Sequence, residues 1–253
     1  MSDAFDVVVI GGGPGGYPCA IRAAQLGFKT ACIDSWLNRD NTPAFGGTCL
    51  NAGCIPSKAL LESSENYHRA LHEFAAHGIG MQGVSLDLAK MQARKTTVSR
   101  SLTSGIKTLF KANGVTGLEG FGKLLGNGQV EFKSHSGETQ TLTAKHIVIA
   151  TGSEPVNLTK IAPFDGDKIV DSWGALDFTE VPKRLGIIGA GVIGVELGSV
   201  WSRLGAKTVI LEALPTFLPM VDTAVSREAQ RQLAKQGLDI RLGAKVLSTK
   251  VGK

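Results

Sequence analysis

The fold is decided by a stretch near the start of the sequence, Phe5-Asp6-Val7-Val8-Val9-Ile10-Gly11-Gly12-Gly13-Pro14-Gly15-Gly16. Residues 7–10 are all β-branched, which is typical of a buried strand, and the six residues after them are five glycines and a proline, which indicate a turn. Helix-like sequence follows as far as Leu26-Gly27, and a second apolar run over 30–33 ends at Asp34. This order of elements predicts a β-α-β unit.

The same order occurs a second time, beginning with Arg184-Leu185-Gly186-Ile187-Ile188-Gly189-Ala190-Gly191-Val192-Ile193-Gly194. A helix to Leu204-Gly205 and a strand over 207–211 lead to Glu212. Both units have G-x-G-x-x-G at the strand-to-helix turn, and 23 residues separate the first glycine from the terminal acid in each. We therefore expect an α/β fold made of two Rossmann-like, three-layer lobes.

The glycine motif has a physical purpose in such a lobe. The first glycine allows a tight turn, the second lets the backbone approach a pyrophosphate, and the third lets the helix lie close to the strand. The acid at the end of the second strand accepts hydrogen bonds from ribose hydroxyls, and Glu212, with no arginine beside it, would repel a 2′-phosphate and so favours NAD over NADP. Glycine turns in an unrelated α/β fold remain the alternative, which the repetition disfavours. The predicted dinucleotide contacts are Gly11, Gly13, Gly16 and Asp34 in the first lobe and Gly189, Gly191, Gly194 and Glu212 in the second.

The sequence divides into a first lobe over 1–152, a linker over 153–183 and an incomplete second lobe over 184–253. Apolar residues at helical spacing predict helices over 59–77 and 87–112, and turns at Asn127-Gly128 and Ser136-Gly137 predict a β-meander over 115–143. A further strand over 146–150 runs into a glycine turn. Pro18 lies within the helix after Gly16, where we expect it to disturb the helix by removing a backbone hydrogen bond.

Two cysteines lie just after the first unit, in Cys49-Leu50-Asn51-Ala52-Gly53-Cys54. Half of a zinc site is disfavoured because no second Cys/His pair has ligand spacing, so we expect no metal. Two unrelated buried thiols remain an alternative. The third interpretation is a reversible disulfide beside a bound flavin, since so small a ring adds little stability through loop entropy. If Cys54 begins a helix, the helix dipole favours its thiolate, and Lys58 follows one turn later.

These motifs resemble the pyridine nucleotide–disulfide oxidoreductase family, and within its class I the members that oxidise dihydrolipoamide. The resemblance covers the whole chain, and Gly46-Gly47-Thr48-Cys49-Leu50-Asn51-Ala52-Gly53-Cys54-Ile55-Pro56-Ser57-Lys58 is close to the redox signature of the family, with Ala52 where valine is usual. It implies that the first lobe binds FAD and the second binds NAD. It also implies that Cys54 lies against the flavin, that Cys49 exchanges with dihydrolipoamide, and that Glu196 pairs with Lys58. The remaining implied FAD contacts are Gly47, Thr48, Lys58, Gly122, Thr151, Gly152 and Ser153.

The implied reaction is oxidation of protein-bound dihydrolipoamide with NAD⁺ as acceptor, and the implied partner is the lipoyl domain of a 2-oxoacid dehydrogenase complex or of the glycine cleavage system. Complete members of the family are homodimers nearly twice as long, and their interface domain supplies a His-Glu pair that no histidine here matches. We therefore expect little full turnover from this chain alone. The alternatives are an FAD/NADH-binding fragment with diaphorase-type or no activity, and another flavoprotein disulfide reductase.

Composition excludes several other classes of protein. A hydrophobic fraction of 43% excludes a disordered polyelectrolyte. The net charge of +5 comes without a basic run interleaved with aromatic residues, so we expect no nucleic-acid partner. No apolar stretch is long enough for a membrane span, and residues 1–10 do not resemble a signal peptide. Four cysteines are too few for a stapled secreted scaffold, and we expect a cytoplasmic protein.

Overall fold

The computed structural model describes residues 3–252, which form two compact units. The first unit combines the chain up to Pro56 with Thr96–Glu154, and the second combines Ser57–Lys95 with the chain from Pro155 onward. The elements in chain order are β1 (Asp3–Ile10), α1 (Tyr17–Gln25), β2 (Thr30–Asp34), α2 (Gly47–Ala52), α3 (Cys54–His72), α4 (Leu88–Asn113), β3 (Thr116–Gly126), β4 (Gln129–Ser134), β5 (Thr139–Ile149), α5 (Ser172–Ala175), β6 (Arg184–Ile188), α6 (Val192–Arg203), β7 (Lys207–Leu211), α7 (Thr223–Lys235) and β8 (Asp239–Arg241).

The strands of the first unit form a closed five-stranded barrel. β1 lies between β2 and β5 and is parallel to both, β3 is parallel to β2, and β4 closes the barrel by pairing antiparallel with β3 and β5. The predicted α/β fold with a β-meander is confirmed. The strand predicted over 146–150 and the last meander strand are, however, one continuous element, β5, because no turn residue interrupts the chain between them.

Two apolar clusters lie on opposite faces of this sheet, since successive side chains of a strand alternate between faces. One cluster combines Val7, Val9 and Cys32 with residues of three helices, among them Phe110 of α4, whose ring lies 4.9 Å from that of Phe45. The other cluster is enclosed by the strands alone and consists of Phe5, Val8, Ile10, Ala31, Ile33, Val130, Phe132 and Leu142. Helices therefore cover one face of β1, and the meander covers the other.

The expectation for Pro18 was wrong. Helix α1 begins at Tyr17 after the N-cap Gly16, so Pro18 occupies the first turn of the helix. The N–H groups of the first turn have no partner within the helix, and proline there loses no hydrogen bond. The predicted start of the helix after Gly16 is correct, and the error lay in assigning Pro18 to the interior of the helix and not to its first turn.

Both glycine-motif helices end in the same way. After α1, Gly27 adopts φ +88°, and the N–H of Phe28 donates to the carbonyl oxygen of Ala23. After α6, Gly205 adopts φ +109°, and the N–H of Ala206 donates to the carbonyl oxygen of Trp201. A glycine in the left-handed region with this hydrogen bond is the Schellman ending of a helix, which explains the repeated Leu-Gly pairs.

The second unit is built on a three-stranded parallel sheet in the order β6-β7-β8. Helices α6 and α7 both contribute to the apolar residues packed around Ile210 of the central strand. A larger cluster combines Leu60 of α3, Met91 of α4 and Leu176 with Val200 and the fully buried Trp201 of α6. Helix α6 therefore packs on two apolar surfaces of its unit.

The segment predicted as a linker contributes to the second unit. It contains α5, and Leu176 just after α5 is 4% exposed. The buried ammonium of Lys95 donates to the carbonyl oxygen of Leu176 at 2.8 Å and pairs with Asp177. The division of the chain into an FAD lobe, a linker and an NAD lobe stays a prediction. Among residues 3–252, no helix is both long and apolar enough to cross a bilayer.

Candidate active site

The glycine turn after β1 is closed by contacts that only glycine allows. Gly11 adopts φ +106°, and a Cβ atom there would lie 1.9 Å from the carbonyl oxygen of Ala150. A Cβ atom on Gly16 would lie 1.7 Å from the carbonyl oxygen of Gly11. The first and third glycines of the motif are therefore required by the fold. At Gly13, the nearest atom to an added Cβ is 3.5 Å away, so this position is the least crowded of the three.

Asp34 closes this turn from the end of β2. A Cβ atom on Gly12 would lie 2.6 Å from Oδ2 of Asp34 and equally close to the ring of Phe45. Burial raises the pKa of the Asp34 carboxyl against the opposing effect of backbone N–H groups, first that of Trp36. Its Oδ2 is buried and accepts no hydrogen bond from any described residue. The sequence analysis treated Gly12 as a variable position of the motif, although the unbroken run of three glycines could have indicated its role.

Helix α2, which carries Cys49, begins directly against the glycine turn. The N–H of Gly46 donates to the carbonyl oxygen of Gly12 at 2.8 Å. Gly47, the first residue of α2, adopts φ +54°, and a Cβ atom there would lie 2.8 Å from Cα of Gly13. The cysteine segment and the dinucleotide motif are therefore in backbone contact.

The two cysteines lie on either side of Gly53, the single residue between α2 and α3. Cys49 is half-buried in α2 and packs against an apolar cluster, whereas Cys54 is exposed and is the first residue of α3. A Cβ atom on the intervening Gly53 would lie 3.2 Å from Cα of Cys49 and 2.9 Å from the carbonyl oxygen of Thr48. Gly53, at the end of α2, thus leaves no room for a side chain one turn after Cys49.

The other two cysteines have a different environment. Cys32 is fully buried in β2, and burial is the main cause that raises the pKa of its thiol. Because the thiolate is the reactive form, this cysteine is inert. Cys19 is half-buried and packs against the same apolar cluster as Cys32. Both are therefore structural residues.

The other predicted FAD contacts of the first unit lie at two places. The hydroxyl of Thr48 donates to the carbonyl oxygen of Ser153 at 3.5 Å, which joins α2 to the turn Thr151-Gly152-Ser153 after β5. Gly152 in that turn adopts φ +76°. Gly122 lies apart from them in β3, where the side chains of Ile10 and Ile33 fill the space next to its Cα. Packing alone therefore explains glycine at 122, and its role toward FAD stays a prediction.

The glycine turn of the second unit repeats the first with one open position. Gly189 adopts φ +103°, and a Cβ atom on Gly194 would lie 2.2 Å from the carbonyl oxygen of Gly189. Around a Cβ atom on Gly191, in contrast, no atom of the described residues lies within 4 Å, apart from Gly191 and its two chain neighbours. The carboxylate of Glu212 accepts from the N–H of Ala190 at 2.8 Å and from the N–H of Leu214 at 2.9 Å. The predicted NAD-binding residues thus meet at the carboxyl ends of β6 and β7.

Both turns fit a bound dinucleotide. The N-caps of α1 and α6 are Gly16 and Gly191, which have no side chain to hydrogen-bond the first N–H groups of the helix. Such N–H groups and the helix dipole bind phosphate. In the first unit the buried Oδ2 of Asp34 lacks a donor, which ribose hydroxyls can supply. In the second unit the empty space at Gly191 lets a pyrophosphate approach the backbone.

The predicted pair of Lys58 and Glu196 is present in the second unit. Nζ of Lys58 in α3 donates to Oε1 of Glu196 in α6 at 2.7 Å and to Oε2 at 2.8 Å. The hydroxyl of Ser57, a buried residue, also donates to Oε2, at 3.2 Å. The sequence analysis missed this contribution of Ser57, because nothing in the spacing of a serine next to a lysine indicates which of them reaches α6.

Comparison with known proteins agrees with this geometry. The family model described as Pyridine nucleotide-disulphide oxidoreductase matches residues 5–252. The chain belongs to the pyridine nucleotide-disulphide oxidoreductase family, a class of proteins that the sequence analysis had identified by resemblance.

Individual relatives and solved structures are similar along the whole chain. It is 48% identical over 246 residues to a mitochondrial dihydrolipoyl dehydrogenase of Pisum sativum, covering 97% of this chain and 48% of that protein. It is 50% identical to a dihydrolipoyl dehydrogenase of Cupriavidus necator, covering 100% and 53%. The structure of the Cu(II) complex of RclA, an HOCl-induced flavoprotein disulfide reductase of Escherichia coli, superposes with a TM-score of 0.81 at 27% identity, covering 100% of this chain and 52% of that one. The chain spans about half the length of the curated relatives it matches.

Proposed function

We propose that this chain binds FAD in its first unit and NAD in its second, and that the pair Cys49 and Cys54 oxidises dihydrolipoamide carried on a lipoyl domain. The single observation that carries the proposal is the backbone contact between Gly47 and Gly13. Because α2 begins at that contact, the cysteine segment starts at the dinucleotide turn. A disulfide next to such a turn is suited to electron transfer rather than to stabilising the fold.

The exchange step balances in sulfur bonds and electrons. In the oxidised protein, Cys49 and Cys54 form a disulfide. One thiolate of dihydrolipoamide attacks Sγ of Cys49 and forms a mixed disulfide, the Cys49–Cys54 bond breaks, and Cys54 leaves as the thiolate. The second thiol of the substrate then attacks its own sulfur in that mixed disulfide, so that cyclic lipoamide leaves and Cys49 is reduced. The pair has gained two electrons, and NAD⁺ is the final acceptor. When bound, FAD supplies the two-electron transfer between thiols and nicotinamide.

Residues of this chain would orient the two cofactors and supply the charged groups of the site. Gly11, Gly13, Gly16 and Asp34 would hold the ADP half of FAD, with Thr48 and Ser153 on the flavin side. Cys54 is the first residue of α3. Lys58 follows Cys54 by four residues, and such residues lie on one face of a helix. Glu196 would orient the Lys58 ammonium, and Glu212 would accept hydrogen bonds from the ribose hydroxyls of NAD.

The assignment of roles to the two cysteines is a specific part of the proposal. Cys54 is the more exposed of the two in the described structure, and Cys49 is half-buried. If Cys49 is the exchanging thiol, bound FAD must cover Cys54 and leave Cys49 accessible. We further propose that the protein is a homodimer in complete form, as the resemblance implies, and that it works in the cytoplasm, although the relative in Pisum sativum is named mitochondrial.

The test is a comparison of single cysteine variants loaded with FAD. Wild type should bind FAD, and anaerobic dihydrolipoamide should change its flavin absorption. Cys49→Ser should abolish the reaction with dihydrolipoamide but keep the flavin, and Cys54→Ser should alter the absorption spectrum of the flavin itself. Cys19→Ser is the matched control, because Cys19 is half-buried in the same unit. A Cys49→Ser variant that reacts with dihydrolipoamide as fast as the control would contradict the proposal.

A further inference from the structure

Two ion pairs connect α3 to α6, with equal spacing on both helices. Lys58 pairs with Glu196 at 2.7 Å, and Glu65 pairs with Arg203 at 2.5 Å. Seven residues separate Lys58 from Glu65, and seven separate Glu196 from Arg203. Seven residues are about two helical turns. The two helices therefore run in the same direction, and the two pairs mark two ends of one shared face.

The signs of the charges are reversed between the two pairs. The cation lies on α3 in the first pair and on α6 in the second. If α3 moved along α6 by two turns in one direction, Lys58 would lie next to Arg203. If it moved by two turns in the other direction, Glu65 would lie next to Glu196. Like charges in contact are destabilising, so this arrangement favours one register of α3 on α6.

The two pairs differ in exposure. The Arg203 side chain is 16% exposed, whereas that of Lys58 is 58% exposed. Arg203 follows the buried Val200 and Trp201 and precedes Leu204, all of which pack in one cluster with Leu60 of α3. A pair beside such a cluster is screened less by water and salt than an exposed one. The exposed pair is by itself a weak determinant of its own geometry.

We propose that Glu65 and Arg203 are positioning residues, which fix the register of α3 on α6 and thereby hold the Lys58 ammonium on Glu196. The importance of this placement rests on the proposed function, in which Lys58 lies one turn from Cys54. The register itself does not depend on it. Without the second pair, the flexible stem of Lys58 would let the ammonium leave the carboxylate for water.

The test follows the Lys58 ammonium directly, by nitrogen-15 NMR of the full chain. Lys58→Arg identifies its signal by the loss of that signal, and Glu196→Gln gives the reference for an unpaired Lys58. In Glu65→Gln we expect the signal to move to that reference. In the FAD-loaded protein, the kcat for flavin reduction by NADH should fall about threefold to tenfold, as expected for coupled neighbours.

A conservative variant and a matched control complete the test. Arg203→Lys keeps the signs of both pairs and should retain both the Lys58 signal and kcat. Glu73→Gln breaks the exposed pair between Arg69 of α3 and Glu73, the residue just after α3, and should change neither. A Glu65→Gln protein with the wild-type Lys58 signal and kcat would overturn the proposal. If NADH does not reduce the flavin of the wild-type protein, the proposed function is contradicted. The NMR signal of Lys58 still decides the positioning role in that case.

Discussion

Both carboxylate oxygens of Glu196 accept hydrogen bonds from the single ammonium of Lys58, although 138 residues separate the two in the chain. The Lys58 side chain is 58% exposed and that of Glu196 is 30% exposed. Pairs that exposed contribute only about 0–1 kcal/mol to stability. The pair therefore serves to orient the Lys58 ammonium and contributes little to the stability of the fold.

The first prediction follows from that difference. Glu196→Gln should change the melting temperature little, because an exposed pair is worth little, but should lower the rate at which NADH reduces the bound flavin by about tenfold or more. Thermal melting and stopped-flow absorbance measure the two effects. Glu73→Gln, which removes another paired acid of the same unit, should leave both unchanged. Equal losses of rate in the two variants would show that Glu196 has no special part.

The second prediction uses two glycines of one motif. Gly194→Ala should destabilise the second unit by about 1–3 kcal/mol, as expected for overpacking, because its Cβ would lie 2.2 Å from a carbonyl oxygen. Gly191→Ala should leave stability unchanged, since, within residues 3–252, only its own chain neighbours lie within 4 Å of the added methyl. It should nevertheless weaken NADH binding by about tenfold or more, because the methyl occupies the space a pyrophosphate needs. Urea unfolding and fluorescence titration separate the effects, and a Gly191→Ala protein that binds NADH normally would exclude a pyrophosphate there.

The third prediction concerns pH and Asp34. Burial raises the pKa of Asp34 above its ordinary value of 3.8, so between that value and the raised one the folded chain binds more protons than the unfolded chain. The free energy of unfolding contributed by this group therefore falls as pH rises through that window, and the loss persists at neutral pH. Without ligand, Asp34→Asn should lose less stability from acid to neutral pH than wild type does. It should also bind FAD about tenfold to a hundredfold more weakly, since a hydrogen bond to a charged group is lost.

Asp40 gives a control of opposite sign for that measurement. Its hydrogen bonds, first that from the Thr42 hydroxyl, lower the pKa of Asp40. Stability from this group is present above the ordinary pKa and is lost as pH falls through the lowered value. Urea unfolding at several pH values should therefore show opposite trends for Asp34→Asn and Asp40→Asn. Parallel trends would mean that burial does not dominate at Asp34.

The fourth prediction concerns the segment around α5. The Lys95 side chain is 6% exposed and pairs with Asp177, and its ammonium donates to the carbonyl oxygen of Leu176. Lys95→Met should cost about 1–3 kcal/mol, because a buried carbonyl loses its donor. Lys90→Met removes a pair whose lysine is 86% exposed and should cost less than about 0.5 kcal/mol. Denaturant unfolding compares them, and indistinguishable midpoints would mean that Lys95 does not anchor this segment.

The repeated β-α-β units could be predicted from the sequence because their signals are local. Glycines at fixed spacing, β-branched runs and terminal acids indicate both turns. In the structure, the turn at Gly11 lies close to Asp34, and the turn at Gly189 lies close to Glu212, as expected. The effect of Pro18 was misjudged, since Pro18 is only the second residue of α1 and lies in the first turn, where proline is tolerated. The closed barrel was not predicted either, because β4 closes it through pairings that depend on three-dimensional register.

Contacts that depend on packing between distant segments could not be predicted. The resemblance to a known family suggested Glu196 as the partner of Lys58, but no pattern indicated the hydroxyl of Ser57 or the pair of Glu65 and Arg203. The crowding of Gly12 by Asp34 and Phe45 also requires coordinates. These contacts join residues far apart in the sequence, and periodicity carries no information about them.

The contact of Gly47 with Gly13 has a consequence for protein engineering. The two sequence signatures lie more than thirty residues apart in the chain but are in backbone contact. A cysteine segment grafted onto a different nucleotide-binding protein must keep glycine at position 47, because a Cβ atom there would lie 2.8 Å from the backbone of the turn. A working graft must carry both stretches, and directed evolution at either one will be constrained by the other.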